Sequence, residues 1–383
     1  MIPRTVLGWK RLAVATGIVI IFLVAGAAIF IWSGFYNVAA TREHFAITTW
    51  ILEKLRRQSV ETRSYFVEAP PPLDDPDRIR LGAAHFEGGC APCHGRPGDP
   101  VDAIVSGMLP PPPPLAGAVA HQTPEEVFWI VKHGLKYTGM PAWPAQGRHD
   151  EVWALTAFLK QLPGGTAADY QRLSGRDRLP PEPRENLTQG SDTVALTQCI
   201  RCHDDAAQET LSVLVPRLAG QSPAFLLRAL AEYAAGTRPS GIMEPVAKSL
   251  DESEMRELAA YYAGLETRPP PAGNRPDANS VERGRAIAMN GDARSGIPPC
   301  LACHSRSRAP AFPSLAGQHA AYIAGQLRLW QEGGRDMTGY GQIMATVARR
   351  LTDEQISDVA AYFASLPSND GLDRPASSTE TGR

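Results

Sequence analysis

The chain has 383 residues, 43% of them hydrophobic and 20% charged, enough to build cores in two to four domains. Its formal net charge is −2. No basic run tracks a phosphate backbone, so nucleic acid is not expected as a partner. Residues 1–11, with Arg4, Lys10 and Arg11, are expected to stay cytoplasmic. They precede Leu12–Trp32, an uncharged stretch close to the roughly 20 residues that span a bilayer as a helix. Trp9 and Trp32 bracket it as interfacial aromatics, and the basic residues orient everything after Ser33 outwards, into the periplasm. A cleaved signal peptide is the competing reading, with Val38-Ala39-Ala40 as a tolerable cleavage site, but its apolar core is normally only about 7–15 residues. The expectation is therefore a single-pass anchor over 12–32 in the inner membrane. Residues 33–68 read as a membrane-proximal helix, with Trp50, Ile51 and Leu55 on one face and Lys54, Arg56 and Arg57 polar; Ala69-Pro-Pro-Pro-Leu73 ends it.

All six cysteines fall in one pattern: Cys90-Ala-Pro-Cys93-His94, Cys199-Ile-Arg-Cys202-His203 and Cys300-Leu-Ala-Cys303-His304. C-x-x-C-H is the attachment motif of covalent haem. Thiols one helical turn apart can each add to one of two vinyl groups on the same haem edge, and the next residue then places its imidazole on the iron. Disulfides do not explain a histidine after every pair. One Cys₄ zinc site would leave a third pair over. With 9 histidines in the chain, one follows a given pair by chance about one time in forty. Three haems are therefore expected.

The motif sits in a repeat. Each copy is followed by Pro-x-Leu-Ala-Gly, at Pro113–Gly117, Pro216–Gly220 and Pro313–Gly317. Each unit closes on a short amphipathic helix over 155–162, 258–265 or 359–366, with apolar positions at i, i+3, i+4 and i+7. Phe158, Tyr261 and Tyr362 are the equivalent aromatics. The expected units are 69–165, 189–267 and 277–368, joined by polar, proline-rich linkers at 166–188 and 268–276 and followed by a disordered tail at 369–383. The run Pro110–Pro114 should be an extended loop beside the first haem. The short lead from Gly190 to Gln198 leaves the second unit an opening helix of only about two turns.

A soft, neutral thioether is the expected sixth iron ligand, since it raises the potential relative to a second histidine. Met243 lies 40 residues after His203, Met344 lies 40 after His304, and Met140 lies 46 after His94 in Thr-Gly-Met-Pro-Ala-Trp143. Met108 and Met337 are the runners-up, while Met255 and Met289 look like packing residues within helices. His85 is expected to pack on a helix, and His121, His133, His149 and His319 to be surface residues. No methionine is missing that a second histidine would have to replace.

Each unit resembles a class I cytochrome c domain: an opening helix, C-x-x-C-H, a Pro-x-Leu loop, an axial methionine and a closing helix with an aromatic. The resemblance covers about 69–368. It implies an all-α fold, with three such domains in tandem behind one transmembrane helix. It also implies that the carbonyls of Pro113, Pro216 and Pro313 accept a hydrogen bond from the proximal histidines, fixing the rings and raising their basicity. The last two units are similar to the tandem diheme cytochromes of the c-four class, through Pro-x-Leu-Ala-Gly-Gln and Leu-x-x-Tyr/Trp-x-x-Gly-x-Arg near 230–238 and 327–335. The first is closer to monohaem domains with Gly-Met-Pro-Ala-Trp. The whole resembles triheme cytochrome subunits of bacterial membrane-bound dehydrogenases. The expected cofactors are thus three covalently bound haem c groups. Cys90, Cys93, Cys199, Cys202, Cys300 and Cys303 attach them, and His94/Met140, His203/Met243 and His304/Met344 ligate the irons. The expected partners are redox proteins: a periplasmic or membrane dehydrogenase, a terminal oxidase or a soluble cytochrome. A catalytic haem such as a peroxidase needs an open sixth position and groups that move protons. Every haem here has a methionine and no spare acid–base cluster, so an electron carrier is expected, not an enzyme.

Overall fold

The computed structural model describes residues 4–179, 193–268, 276–305 and 310–367, with nothing described of the side chains of 4–7, 193 and 194. The expected tail and most of the second linker lie outside the described residues. Among those described the chain is helical, and its one β-bridge joins Asp292 to Ile297. The helix α1 (Arg4–Trp32) contains one stretch, Gly8–Trp32, that is long and apolar enough to cross a membrane, and none of it is buried by the rest of the chain.

Residues 33–45 do not continue into the membrane-proximal helix as expected. Ser33 Oγ bonds Phe30 O, Gly34 takes a left-handed φ of 65°, and Asn37 Oδ1 accepts from Ala39 N, so the chain turns first. The helix α2 (Ala46–Ser64) buries only Val60 and Ser64 near its end. Trp50, Ile51 and Leu55, expected on one apolar face, are exposed.

Domain 1 is built from α3 (Pro76–Gly89), the one-turn helices α4 (Ala91–His94), α5 (Ala103–Ser106) and α6 (Leu115–Ala118), and the longer α7 (Pro124–His133) and α8 (His149–Gln161). Local chemistry starts the longer ones. The Asp75 carboxylate caps Asp77 N ahead of Pro76, and Thr123 with Glu126 forms a capping box. The opening helix crosses the closing helix at Gly82, where a Cβ would lie 2.0 Å from Ala154 O. Phe86, Phe128, Trp153 and Phe158 fill the space around that crossing.

Residues expected to be linker form a helix, α9 (Ala167–Ser174), which packs back onto domain 1. Its capping box, Thr166 with Asp169, starts it. Tyr170 then sets its ring edge-on to Phe86, 5.9 Å away, and donates to Glu87 Oε2 at 2.5 Å. The next residues lean the other way: Arg178 Nε donates to Gln208 Oε1, and Leu179 packs on the core of the second domain. The first half of the linker is thus a wedge between two domains.

Domain 2 contains α10 (Thr193–Ile200), α11 (Pro223–Ala234), α12 (Met243–Lys248) and α13 (Glu252–Gly264). Domain 3 contains α14 (Ala278–Asn290), α15 (Leu301–His304), α16 (Ala320–Gln331), α17 (Gly339–Ala348) and α18 (Asp353–Ser365). Domain 3 repeats the tight crossing of domain 1, with Gly284 against Asp358 O. Among the described residues the opening helix of domain 2 has 8 residues, against 14 and 13 in its counterparts. Tyr262 is buried there, and the expected Tyr261 is only partly covered.

Domains 2 and 3 meet through their proline loops in a reciprocal pattern. Gln221 bonds both the N–H and the carbonyl of Ser314, and Gln318 bonds both backbone groups of Arg217, all at 2.8–3.1 Å. Each glutamine follows its Pro-x-Leu-Ala-Gly; in domain 1 that place is Ala118. His319, expected on the surface, lies in this interface with Nε2 2.8 Å from Thr210 Oγ1.

Two predictions follow from this packing. Gly284→Ala has no room because the obstacle is backbone, so domain 3 should lose about 3 kcal/mol of stability, read as a lower denaturant midpoint by circular dichroism. Burial first, then Arg217, pushes the His319 imidazole down to about 4, with Asp77 opposing. The unfolded chain takes up that proton first, so stability is full above about 6.5 and is lost as the pH falls towards 4. His319→Gln should flatten this part of the stability–pH curve, and an unchanged curve would show that the imidazole does not titrate there.

Candidate haem sites

One cavity of about 2970 Å³ runs through the three domains, and every motif reaches it. Cys90, Cys93, Cys199, Cys202 and Cys300 front it, as do His94, His203 and His304. Cys303 does not, and is exposed. None of the six thiols is in a disulfide. The helical turn that spaces each pair is tied by backbone bonds, His94 N to Cys90 O, His203 N to Cys199 O and His304 N to Cys300 O, each 2.9 Å. Burial, and then the neighbouring thiol, pushes Cys90 and Cys199 up to about 12. Burial pushes Cys300 up to about 11. These thiols are neutral groups in an apolar wall.

Each motif histidine points Nδ1 at a proline carbonyl: His94 to Pro113 O at 3.1 Å, His203 to Pro216 O at 2.9 Å and His304 to Pro313 O at 3.0 Å. With Nδ1 so engaged, the lone pair of the neutral ring is on Nε2. His304 Nε2 is buried with no protein partner. Burial lowers the pKa of His203 and of His304, against the pull of the Pro216 and Pro313 carbonyls, which keeps both rings neutral. The loops that carry these prolines are themselves held. In domain 2, Asp204 accepts from Leu218 N and Ala219 N. Gly220 N donates to Tyr262 O and Gly317 N to Phe363 O, each glycine in a left-handed conformation that a side chain would disfavour. In domain 1, Gly117 lies inside α6 instead.

Met140, Met243 and Met344 all line the cavity, half-buried. Thr138 Oγ1 accepts from Met140 N at 3.1 Å while donating to Leu135 O, and Gly134, at φ 62°, lets Met140 O approach. Ser240 Oγ accepts from Met243 N at 3.0 Å. Met344 stands within α17, which Thr338 caps. Met108 also reaches the cavity, against Gly139, whereas Met337 is 61% exposed and does not. Met255 is buried as expected, but Met289 is half-exposed, on the outer face of α14 beside Arg285. His85 lines the cavity and packs its ring on Trp143, centroids 4.4 Å apart.

Residues 77–159 match the family described as cytochrome C oxidase, cbb3-type, subunit III, and residues 281–367 match the family Cytochrome c. The thiosulfate dehydrogenase electron acceptor of Thiomonas intermedia (strain K12) is 36% identical over 172 residues, 44% of this chain and 78% of that protein. The chain belongs to the class I c-type cytochromes. Cytochrome c4 of Pseudomonas aeruginosa is 32% identical over 172 residues, 44% of this chain and 83% of its own length. Among solved structures, reduced cytochrome c4 from Pseudomonas stutzeri aligns with a TM-score of 0.41 at 27% identity, covering 46% of this chain and all of that one. The cytochrome is therefore an electron-transfer protein and not an enzyme, and covalently bound haem c is its cofactor.

Several residues that shape the sites gave no sequence signal as single letters. Gln221 and Gln318 could have been found by asking which letter the first repeat lacks. Glu151 could not, because acidic residues are ordinary in the first turn of a helix. For the methionine loop of domain 1, Thr138→Val should remove the acceptor of Met140 N. A loss of about 1 kcal/mol would speed amide exchange at Met140 about fivefold. Unchanged exchange would mean that the threonine does not hold the loop.

Proposed function

We propose that this cytochrome carries three haems, one in each of the units 69–165, 189–267 and 277–368, and relays electrons from a periplasmic dehydrogenase to the respiratory chain while anchored by α1. The observation that carries this reading is the threefold contact of a motif histidine, itself lining the cavity, with a proline carbonyl, which engages Nδ1 and leaves Nε2 as the nitrogen with a free lone pair. A pocket for one organic ligand is typically about 300–1,000 Å³. A void of about 2970 Å³ thus has room for three such groups.

The cysteine pairs would hold each haem through two thioethers, and His94 with Met140, His203 with Met243 and His304 with Met344 would ligate the irons. When bound, haem supplies a one-electron iron couple. The chain does the rest. Its proline carbonyls orient the imidazoles and raise their basicity. Its methionine loops, tied by Thr138, Ser240 and the helix α17, hold the thioethers at the cavity, where they would ligate the iron and keep water and small ligands from it. A saturated site that moves little between oxidation states suits transfer rather than binding of a substrate. The dehydrogenase partner is supported by two relatives named as electron acceptors of thiosulfate dehydrogenase. The anchor is supported by the apolar length of Gly8–Trp32, and the membrane-facing role of α2 by its exposed Trp50, Ile51 and Leu55.

The test is direct. The denatured full-length protein should carry three haem additions by mass and should pellet with membranes after a high-salt wash. Met140→Ala, Met243→Ala and Met344→Ala should each lower one midpoint potential and open one haem to CO, leaving the fold intact. Two haem additions would overturn the stoichiometry, and a Met140→Ala protein with unchanged potentials would move that assignment to Met108.

A further inference from the structure

The junction between domains 1 and 2 is built around a buried carboxylate. Glu151 belongs to the first turn of α8 and is 3% exposed. Four donors from two domains converge on it. From its own domain come Arg148 Nη1 at 2.8 Å and Trp143 Nε1 at 3.3 Å. From domain 2 come Ser240 Oγ at 2.6 Å and Gly241 N at 2.7 Å. Arg148 also donates to Pro239 O, again across the junction. The contact is tight: a Cβ on Gly241 would lie 2.2 Å from Trp143 Nε1. Arg148, Trp143 and Gly241 can only donate, and the Ser240 oxygen already accepts from Met243 N and Ile242 N, so no acceptor is left for a carboxyl proton. Burial pushes the Glu151 carboxyl up, Arg148 pulls it down, and the group is a carboxylate ion-paired with Arg148. Arg148 is itself held charged, since Glu151 and Asp150 outweigh the cost of its burial.

The two loops that Glu151 joins are the methionine loops. Trp143 stands three residues after Met140, and Ser240 three residues before Met243. The link to Met243 is the closer one. Ser240 donates its hydroxyl hydrogen to Glu151, and the same oxygen accepts from Met243 N at 3.0 Å and from Ile242 N at 3.3 Å. The serine has one hydrogen to give, so its orientation, and with it the entry of α12, depends on the carboxylate across the junction.

Resting on the proposed ligation by Met243, we propose that Glu151 is a positioning residue through which domain 1 sets the potential of the haem in domain 2. Its negative charge, placed near that site in a buried network, favours the oxidised iron, and its bond to Ser240 keeps the methionine loop closed. Domain 1 is then part of the tuning of the tandem pair as well as a third carrier.

The test is a spectroelectrochemical titration of the full-length protein, with Met243→Ala used to mark the component that belongs to domain 2 and Met344→Ala the component of domain 3. Glu151→Gln keeps the shape and removes the charge. It should raise the domain 2 component, with the domain 3 component unmoved. Ser240→Ala, which breaks the same link from the other domain, should weaken the methionine-to-iron charge-transfer band of that haem and lower its component. If neither variant moves the component that Met243→Ala moves, the coupling is wrong. If Glu151→Gln moves all three components together, the residue only packs the junction and the proposal fails. A Met243→Ala protein with all components in place would instead sink the ligand assignment itself.

Discussion

The hydrogen bond from each motif imidazole to a proline carbonyl is the contact on which the rest of the structure turns. It sets a tautomer and a ring plane at once, so that one nitrogen is spent on the protein and the other is left to the cavity. A carbonyl can do this only if its loop is immobile. In domain 1 the loop runs into the one-turn helix α6, and in domains 2 and 3 the loops are held by being pinned to the closing helices, through Gly220 to Tyr262 and Gly317 to Phe363. Those helices in turn need their crossing with the opening helix, which in domains 1 and 3 is made close by Gly82 and Gly284. In domain 3 the chain from glycine crossing to helix to loop to imidazole is continuous, through Gly284, Phe363, Gly317 and Pro313, within fewer than a hundred residues. Such a small unit has a limited apolar core of its own. A large apolar group seated in the cavity would complete it, which ties the cofactor to the stability of the fold as well as to its function.

The three domains are similar units that associate in two different ways. Domains 2 and 3 present the same surface to each other, glutamine to backbone in both directions, as an isologous contact does. Domain 1 has Ala118 where that glutamine stands, so this mode is closed to it. Its junction uses other parts: Arg201, inside the motif of domain 2, donates to Ala84 O and Ser174 O of domain 1, while Glu151 reaches Ser240 and Gly241. The wedge of α9 fills the space between. Burying the ion pair of Arg148 and Glu151 is tolerable because nearly every donor and acceptor in it is matched, and removing one partner from such a network is costly. The junction is therefore specific in orientation, as the proposed relay would require.

Much of this was legible in the sequence because its signals are local. Two thiols and an imidazole at fixed spacing, a proline loop, a methionine at a repeated distance and a closing amphipathic helix each lie within a few turns, and covalent attachment needs that spacing whatever surrounds it. The capping box of Thr166 and Asp169 is equally local, but its polar, proline-rich neighbourhood reads as linker, and the helix α9 shows itself through the packing of Tyr170 on Phe86. The apolar stretch of α1 likewise follows from length and composition alone.

What the sequence by itself determined is therefore the three C-x-x-C-H motifs, their repeat and the all-helical class, since these depend on spacing along one chain. Only the tertiary structure decided how the repeats face each other. Glu151 is one acidic residue among 40, and nothing in its neighbours distinguishes it until Ser240 and Gly241, some ninety residues away, close around it. His319 was expected at the surface for the same reason, and Met289 in a core: burial is a property of what packs against a residue from another part of the chain. Contacts of that range leave no period and no motif, because the free energy that selects them arises only once both surfaces exist.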